Sequence, residues 1–574
     1  MEAHNKSESY WERKLRRRSL LSGAAVTSLG LAALAVGCGD DDDNGTTTAP
    51  AGGSTTAPGG QTQAAGGTPK PGGTLTVHDN GDPASFDYIK TWSYRTMIYD
   101  LMTYPRLLRF ETGPDIKPID FKITTDLAEA MPEQPDETTY IFKVRPAKWE
   151  NKAPLDGRAM TADDIVKSWT RFSTEHPSRL LFEDVSKVEA TAPDTIKFTL
   201  SKPLGPFINH IGHQGYFYVM PPELYDGDQL QKDMWSAGPF IFTGYQVGSQ
   251  VTFKKNPDYF IKDRPYVDGV TWKIIPDPST TIAALRTKQI DTLGWTAVVG
   301  PNDVPSLQKD LPGATFTKYI TQGNAWFGMD LEDPKFQDKR VRQALSMAMN
   351  RDDQVKVGVE GVWSLPYGAL TQWYFDPKQT SSFPNAKYYQ YNVKEAKSLL
   401  SAAGAEKLGP YDLYGSAVWT PVQLQQAQLV QEQLKAVGVE TNFKQLPFAE
   451  FYAKTVIGGK WGPGLAVSAN LVGADPNEYL TTFWEPASPR LISPGLAPLL
   501  EKDTELSSAI EAQKRELDVD KRKDNLKKVV DIMADRMYNI PTTVGENYHV
   551  HQENVHLNWI FSYGDEYMFD AWKS

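Results

Sequence analysis

Two pairs of histidines have the residue type and spacing that metal chemistry could use. His210 and His213 stand three residues apart and could share a metal ion, but no acidic residue or cysteine lies beside them in the sequence. His549 and His551 alternate along an expected strand, where a solvated surface is the simpler interpretation. We therefore predict no metal site at either pair.

The local signatures of common enzymes are absent from the sequence. It contains no G-x-S-x-G, G-x-x-x-x-G-K-[ST] or H-E-x-x-H motif, and no G-x-G-x-x-G follows a strand. Asp163 and Asp164 could act as paired carboxylates, but the stabilisation of acidic residues at a helix N-terminus explains both without a substrate. The single cysteine, Cys38, excludes disulfide frameworks, cysteine-rich zinc sites and iron–sulfur clusters. We predict that the protein is not an enzyme and needs no cofactor.

Composition narrows the classes of partner. The 574 residues include 60 Lys and Arg against 71 Asp and Glu, so the net charge is -11 and the chain lacks the positive field that nucleic-acid binding draws on. The mean hydropathy of -0.45 argues against a protein with several membrane spans. The 15 Trp and 26 Tyr suit a ligand groove, because each pairs a flat apolar body with a polar atom, although large cores also take up such residues.

The N-terminus has the pattern of an export signal. A basic segment at residues 13–18 precedes an uncharged apolar run at residues 20–36, which is shorter than the about 20 residues of a spanning helix. The string RRSLL at residues 17–21 resembles the twin-arginine export signal, and LAVGC at residues 34–38 resembles a bacterial lipobox. The second resemblance implies that residues 1–38 are a lipoprotein signal and that Cys38 receives lipid. A permanent anchor helix is the alternative.

The rest of the chain divides into a tether and a folded body. Residues 39–72 are mainly Asp, Thr, Ala, Gly, Pro, Ser and Gln, without a large apolar residue that could pack, which predicts a disordered tether. In the body, alternating apolar residues predict strands at 73–78, 138–144, 195–200, 250–254 and 270–275. Helical spacing predicts helices at 91–108, 161–172, 280–288, 338–349, 393–403, 421–437 and 499–537. The fold class is α/β.

Several segments of this body resemble the family 5 solute-binding proteins of ABC importers. They are LA at 127–128, the strand pattern at 138–145, PLDGRAMTADDIV at 154–166, GPF at 238–240 with KNPDYF at 255–260, FQDKRVRQAL at 336–345, and YN at 391–392 with KSLL at 397–400 and AG at 403–404. Each is weak alone, but together they follow the family's order. Their physical roles are structural: Asn256 suits a turn, and Arg340 and Arg342 suit ion pairs or packing at a helix start.

The resemblance implies a fold like that of the class II periplasmic binding proteins. Two hinged lobes carry an additional domain on the first lobe: residues 73–112, 237–315 and 538–574 form the first lobe, 113–236 the additional domain, and 316–537 the second lobe. A solute between the lobes would favour closure, and an ABC permease in the membrane would receive it. The protein would be an extracytoplasmic monomer, held at the outer face of the cell membrane by lipid at Cys38.

The same resemblance implies the ligand-binding residues. Trp92 from the first lobe would face Trp326, Trp419, Asn470 and Asp475 from the second, all in loops or at lobe junctions. The alternative for each tryptophan is a place in a core.

The loop before residue 480 departs from the pattern of peptide-binding relatives. Their loop resembles aDYxDPxxFl, whose first aspartate pairs with the free α-amine of the peptide. Residues 473–480, GADPNEYL, align without gaps to its second half, which puts Val472 at the amine position. A gapped alignment would instead make Asp475 the anchor. The ungapped alignment predicts a solute that needs no free α-amine.

Peptide or peptide-like solutes are therefore the favoured class, and a metal chelate or another small solute is the alternative. A secreted hydrolase is disfavoured by the missing enzyme signatures. A lipoprotein that acts as a sensor or chaperone remains a further alternative.

Overall fold

The computed structural model describes residues 68–91, 93–113, 116, 121–294, 296–297, 299–320, 323–358, 361–363, 384–416, 421–451, 461–471, 473–557 and 566–574. The predicted signal, Cys38 and most of the predicted tether lie outside these residues, as do Trp92, Trp419 and Val472. Within the described ranges, no helix combines the length and apolar composition needed to cross a membrane.

Strands and helices alternate along the described chain. The strands are β1 Thr74–Asp79, β2 Leu108–Phe110, β3 Ile123–Thr125, β4 Glu133–Asp136, β5 Thr139–Lys143, β6 Val185–Ala192, β7 Thr195–Leu200, β8 Phe240–Gln246, β9 Gln250–Lys255, β10 Gly269–Ile274, β11 Thr315–Ile320, β12 Gly323–Met329, β13 Gly361–Trp363, β14 Leu408–Gly415, β15 Val439–Gln445, β16 Leu465–Leu471, β17 Asn539–Pro541, β18 Thr543–His551, β19 Val555–His556 and β20 Trp572–Lys573.

The helices are α1 Tyr94–Thr103, α2 Ala162–Glu175, α3 Phe207–Gly212, α4 Gln229–Lys232, α5 Pro278–Arg286, α6 Val304–Asp310, α7 Pro334–Gln337, α8 Lys339–Ala348, α9 Arg351–Gly358, α10 Val393–Ala402, α11 Pro421–Lys435, α12 Phe448–Phe451, α13 Pro476–Trp484, α14 Ala497–Lys502, α15 Thr504–Arg515 and α16 Val519–Arg536. Short 3-10 turns occur at Pro177–Phe182, Pro222–Leu224, Ala386–Tyr389 and Glu566–Phe569.

Strands of the predicted first lobe lie in two neighbouring sheets, and the second sheet also contains β13 from the predicted second lobe. One has the order β1-β10-β9-β8, with β1 parallel to β10 and the other pairs antiparallel. The second has the order β11-β18-β13, and bridges from Thr292 to Val77 and to His551 connect the two. Asn256 makes the predicted turn after β9, where its side chain accepts a hydrogen bond from the Asp258 N–H at 3.0 Å.

The additional domain is an antiparallel sheet of order β4-β5-β7-β6 covered by α2. Residues of β7 are buried alternately, as its sequence pattern predicts. Trp169 of α2 packs edge-on to Phe198 of β7. At the start of α2, the Asp164 carboxylate accepts a hydrogen bond from the Thr161 N–H at 2.8 Å, which is the helix-start role predicted for it.

Part of the first lobe shares an apolar core with the additional domain, a smaller first-lobe cluster includes Leu285 and Val550, and the second lobe has its own core. The shared core runs from Val77 and Trp272 to Trp169 and Phe198. The second core surrounds a sheet of order β15-β14-β16-β12-β17 and the helices that cover it. Because the additional domain is continuous with the first lobe, the two are expected to move as one body.

The chain crosses between the two bodies at two neighbouring places. β11 belongs to a first-lobe sheet and β12, three residues later, to the second-lobe sheet. On the return, β17 pairs with β12 and β18 pairs with β11. The pairings change from one sheet to the other between β11 and β12 and between β17 and β18, while the boundaries at 315 and 537 stay predictions.

The charged stretch predicted as helical at 499–537 consists of three helices. The carboxylates of Asp503 and Asp518 accept hydrogen bonds from the Leu506 and Lys521 N–H groups, so each begins a new helix, α15 and α16. Met537, in the left-handed region at φ 46°, ends the last helix. In the sequence, aspartates inside a charged run suggest a solvent-exposed helix face. The structure shows that Asp503 and Asp518 are instead helix N-caps.

Candidate ligand-binding site

Trp326 lies in the middle of the second-lobe sheet. On β12 it pairs with Ser468 of β16 on one side and Pro541 of β17 on the other. Its side chain is fully buried, and its ring packs on Trp461 with 5.4 Å between the ring centroids. Gly328 makes room for both rings, because a Cβ atom there would lie 2.7 Å from each. In this conformation Trp326 is a core residue, and its contact with a ligand stays a prediction.

Asn470 lies on β16, the strand that leads into the loop before α13. Side chains two apart on a strand share a face, so Asn470 and Ser468 lie on one side of the sheet. Asn470 Oδ1, Ser468 Oγ and Trp326 Nε1 are buried, and none has a hydrogen-bond partner among the described residues. Because buried polar atoms usually have a partner, a solute could satisfy these three atoms.

Asp475 is held by the protein itself. Its carboxylate accepts hydrogen bonds from both Nη atoms of Arg522, one of them at 2.8 Å, and from Asn209 Nδ2 at 3.0 Å. It also caps α13 through the Asn477 N–H at 2.8 Å, and Pro476 occupies the first turn. Burial alone would raise the pKa of Asp475, but the charge and hydrogen bonds of Arg522 outweigh it and hold that pKa well below its usual range.

Glu478, one turn further along α13, is buried beside the same loop. A Cβ atom on Gly473 would lie 1.0 Å from Glu478 Oε2, so residue 473 must be glycine for the carboxylate to sit there. Glu478 Oε2 is 3.9 Å from His213 Nε2 of the additional domain. Burial raises the pKa of Glu478 well above its ordinary value, and the nearby Asp475 charge adds to this.

Further contacts join the additional domain to the second lobe. Lys514 Nζ donates to Glu183 Oε1 at 2.6 Å, and Arg515 pairs with Asp184. The Gly205 N–H donates to the Lys514 carbonyl at 2.8 Å. We call this interface, together with Asn209–Asp475 and His213–Glu478, the polar latch.

The sequence did not point to Arg522, Asn209 or Glu478. Arg522 and Asp475 are separated by 47 residues and Asn209 and Asp475 by 266. No local pattern marks an arginine in the charged helix α16 as the partner of a distant aspartate. One local pattern did argue against Asp475 as a ligand contact. Asp-Pro at 475–476 is typical of a helix start, where the aspartate caps the helix.

The two histidine pairs also differ from their appearance in the sequence. The fold gives His213 an acidic neighbour, Glu478, but no group of three potential metal ligands occurs among the described residues. The prediction that His549 and His551 are solvated is wrong, because both are buried. His549 Nε2 lies 2.8 Å from the Leu293 carbonyl and 3.0 Å from Thr292 Oγ1, since β18 is covered on both faces where it meets the first-lobe sheet.

The predicted ligand-binding residues occupy different positions in the structure. Trp326 and Asn470 lie close to the entrance of the loop, Asp475 is a structural cap at its end, and Val472 between them lies outside the described residues, as do Trp92 and Trp419. Trp326 also lies beside the return of the chain, because it pairs directly with Pro541 of β17.

Comparison with known proteins is consistent with that geometry. The family model described as bacterial extracellular solute-binding proteins, family 5 Middle, matches residues 122–489. The di/tripeptide-binding protein 2 of Pseudomonas aeruginosa is 25% identical over 441 residues, which cover 71% of this chain and 78% of that protein. The dipeptide-binding protein of Escherichia coli is 24% identical over 453 residues, which cover 72% of this chain and 79% of that protein.

A solved structure shows the same fold. The ABC transporter-associated periplasmic binding protein DppA from Helicobacter pylori, in complex with the peptide STSA, matches with a TM-score of 0.72 and 21% sequence identity. The match covers 88% of this chain and 98% of that chain.

Proposed function

Because the chain belongs to the bacterial extracellular solute-binding proteins of family 5, we propose that it captures a peptide or peptide-like solute outside the cytoplasm and delivers it to an ABC permease. The observation that carries this proposal is the pair of crossings, β11 to β12 and β17 to β18, between two bodies with separate cores. The names of the curated relatives, which bind dipeptides and tripeptides, support the peptide class.

The two crossings would act as a hinge. A few residues at paired crossings can absorb a rotation while both cores stay intact. A solute that touches both lobes gains its full contact energy only in the closed form, so binding shifts the population toward closure. The permease then distinguishes loaded from empty protein by its shape.

The solute is proposed to need no free α-amine. The Asp475 carboxylate already has Arg522 and Asn209 as partners, which leaves it poorly placed to receive an ammonium group. Val472, at the ungapped amine position, has no charge to offer. The proposed contacts are instead the aromatic and amide side chains Trp92, Trp326, Trp419 and Asn470.

Calorimetry and thermal unfolding with a library of dipeptides and tripeptides test the function. A peptide at about 100 times its dissociation constant should stabilise the protein by about 2.7 kcal/mol, and scattering should show a smaller radius of gyration. If no peptide binds and mass spectrometry of the purified protein identifies another solute, the peptide class is wrong.

Matched peptides with free and acetylated N-termini test the amine separately. We expect their affinities to differ by less than about threefold. Acetylation removes the ammonium charge of the peptide, and the proposed site has no free carboxylate that would pair with it. Asp475→Asn should lower stability in both cases without selecting against the free amine. A large loss on acetylation that disappears in Asp475→Asn would instead make Asp475 the amine anchor.

A further inference from the structure

The polar latch is built from groups that can be exposed to water and then buried again. Its ion pairs and hydrogen bonds are made by Lys514, Arg515, Asp475 and their partners in the additional domain, while the apolar cluster at the same interface consists of Phe110 and Ala474 with their neighbours. Interfaces that separate are more polar than permanent cores, since their groups must be hydrated in the open state. The latch therefore has the composition of a contact that opens.

The latch also bears directly on the loop of the candidate site. Asn209 donates to the cap of α13, and His213 faces Glu478 one turn further on. The additional domain therefore contacts the start of α13, where the segment that follows β16 ends. Separation of the lobes would release both contacts together.

We propose that closure of the latch takes up one proton at the Glu478–His213 pair, so that the closed form is favoured as the pH falls toward 6.5. This inference rests on the hinge motion of the proposed function. The side chains of Glu478 and His213 are only 3% and 2% exposed, and Glu478 has its Oε2 pressed against Gly473. A hydrated carboxylate in the open state would lose its water on entering this place.

Among the described residues, the arginine and lysine nearest Glu478 are paired with other carboxylates, and the charge of Arg522 lowers the pKa of Glu478 by less than burial raises it. Arg522 of α16 is engaged by Asp475, and Lys514 of α15 by Glu183 and Glu485. Arg106, which bonds the Gly212 carbonyl at 3.1 Å, faces His213 from the other side. The remaining titratable neighbours are His210, which lies near Asp475, and Tyr216, which bonds Glu478.

The proton count follows from these contacts. In the open state above pH 6.5, Glu478 is a carboxylate and His213 is neutral, so the pair holds no proton. In the closed state, burial raises the pKa of Glu478 well above its usual range and lowers the pKa of His213 to about 3, so Glu478 keeps a proton taken from solvent and His213 stays neutral. Closure then binds one proton, and below about pH 6.5 the dependence fades because open His213 already carries one.

Distance measurements across the latch test this without a solute. Lys202 and Glu511 form an exposed ion pair at 3.8 Å across the same interface, and such pairs contribute little to stability. Spin labels at Lys202→Cys and Glu511→Cys in the full chain, with Cys38→Ser removing the single native thiol, report closure. The ratio of closed to open protein should fall as the pH rises above 6.5, by at most about tenfold per pH unit.

Three variants separate the proposal from general pH effects. Glu478→Gln mimics the protonated side chain, so its closed fraction should be high and independent of pH over this range. His213→Asn keeps Glu478 and should keep the dependence, and Glu440→Gln, an exposed residue of β15, should behave as wild type. A wild-type distance distribution that does not change with pH, or an equal dependence in Glu478→Gln, overturns the proposal. Failure to bind any peptide would count against the proposed function alone, because no solute enters this measurement.

Discussion

The buried ion pair Arg522–Asp475 adds little net stability, but removing one of its two charges should destabilise the protein strongly. Both side chains are buried, so the attraction between them is largely spent on the loss of their hydration. The partner that remains after a deletion has neither water nor a counter-ion. The effect of a substitution therefore depends on which charge is left behind.

Arg522→Met should lower the free energy of unfolding by about 3–5 kcal/mol, because Asp475 is left buried and unpaired. Chemical denaturation of the full chain measures this. The control is Arg340→Met, at an exposed ion pair with Asp338, which should change the free energy of unfolding far less. Adding Asp475→Asn to Arg522→Met should restore part of the loss. This explanation would be contradicted if the double variant lost more unfolding free energy than the two single variants lose together.

His176 predicts a pH dependence of stability. It is buried against Phe172, its Nδ1 accepts from the Ser178 N–H at 3.1 Å, and burial followed by the Arg179 charge lowers its pKa to about 3. The unfolded chain takes up a proton at about pH 6.5, so this contribution to stability is complete above pH 6.5 and is lost as the pH falls toward 3.

His176→Asn, which keeps an acceptor for Ser178, should remove that loss. Between pH 7 and pH 5, wild type should lose about 2 kcal/mol more of its unfolding free energy than the variant. Urea unfolding at both pH values gives the difference. Parallel changes in the two proteins would mean that His176 is protonated in the fold.

At the scale of the element, strand β12 depends on a glycine between two large rings. Gly328→Ala should cost about 1–3 kcal/mol, because the new methyl group would meet both Trp326 and Trp461 at 2.7 Å and the rings must shift. Near-ultraviolet circular dichroism should report that shift. Gly244→Ala on β8, whose nearest neighbour is Thr252 Oγ1 at 3.7 Å, is the matched strand control and should leave the signal unchanged.

Equal destabilisation of the two glycine variants would show that the effect is one of strand backbone and not of tryptophan packing.

At the scale of the whole molecule, the body is proposed to be held near the permease by lipid. Cys38→Ala should leave the protein exported but release it from membranes, because the lipobox-like run ends at the residue that would be acylated. Fractionation of cells and mass measurement of the mature protein test this. Wild-type protein that retains residues 1–37 would contradict it.

Much of the architecture was predictable because it depends on neighbours in the chain. Alternation along β7, the acidic start of α2 and the turn at Asn256 each follow from a few adjacent residues, and the structure contains all three. The ordered motifs likewise identified the family, which the match over residues 122–489 confirms. Helix ends inside 499–537 were harder, since an aspartate in a charged run is a cap or a solvated residue depending on the backbone around it.

The sequence by itself determined many of the elements and the family, while tertiary structure alone decided the partners of buried polar groups. Asp475 meets Asn209 across 266 residues, and His213 meets Glu478, because α3 packs against the start of α13. Packing elsewhere in the fold decides that His549 is buried beside Thr292 and that Trp326 belongs to the core of the second lobe. Local sequence patterns indicate the backbone conformation that a residue favours. The desolvation and the pKa of a side chain depend on which distant residues the fold places within a few ångströms of it.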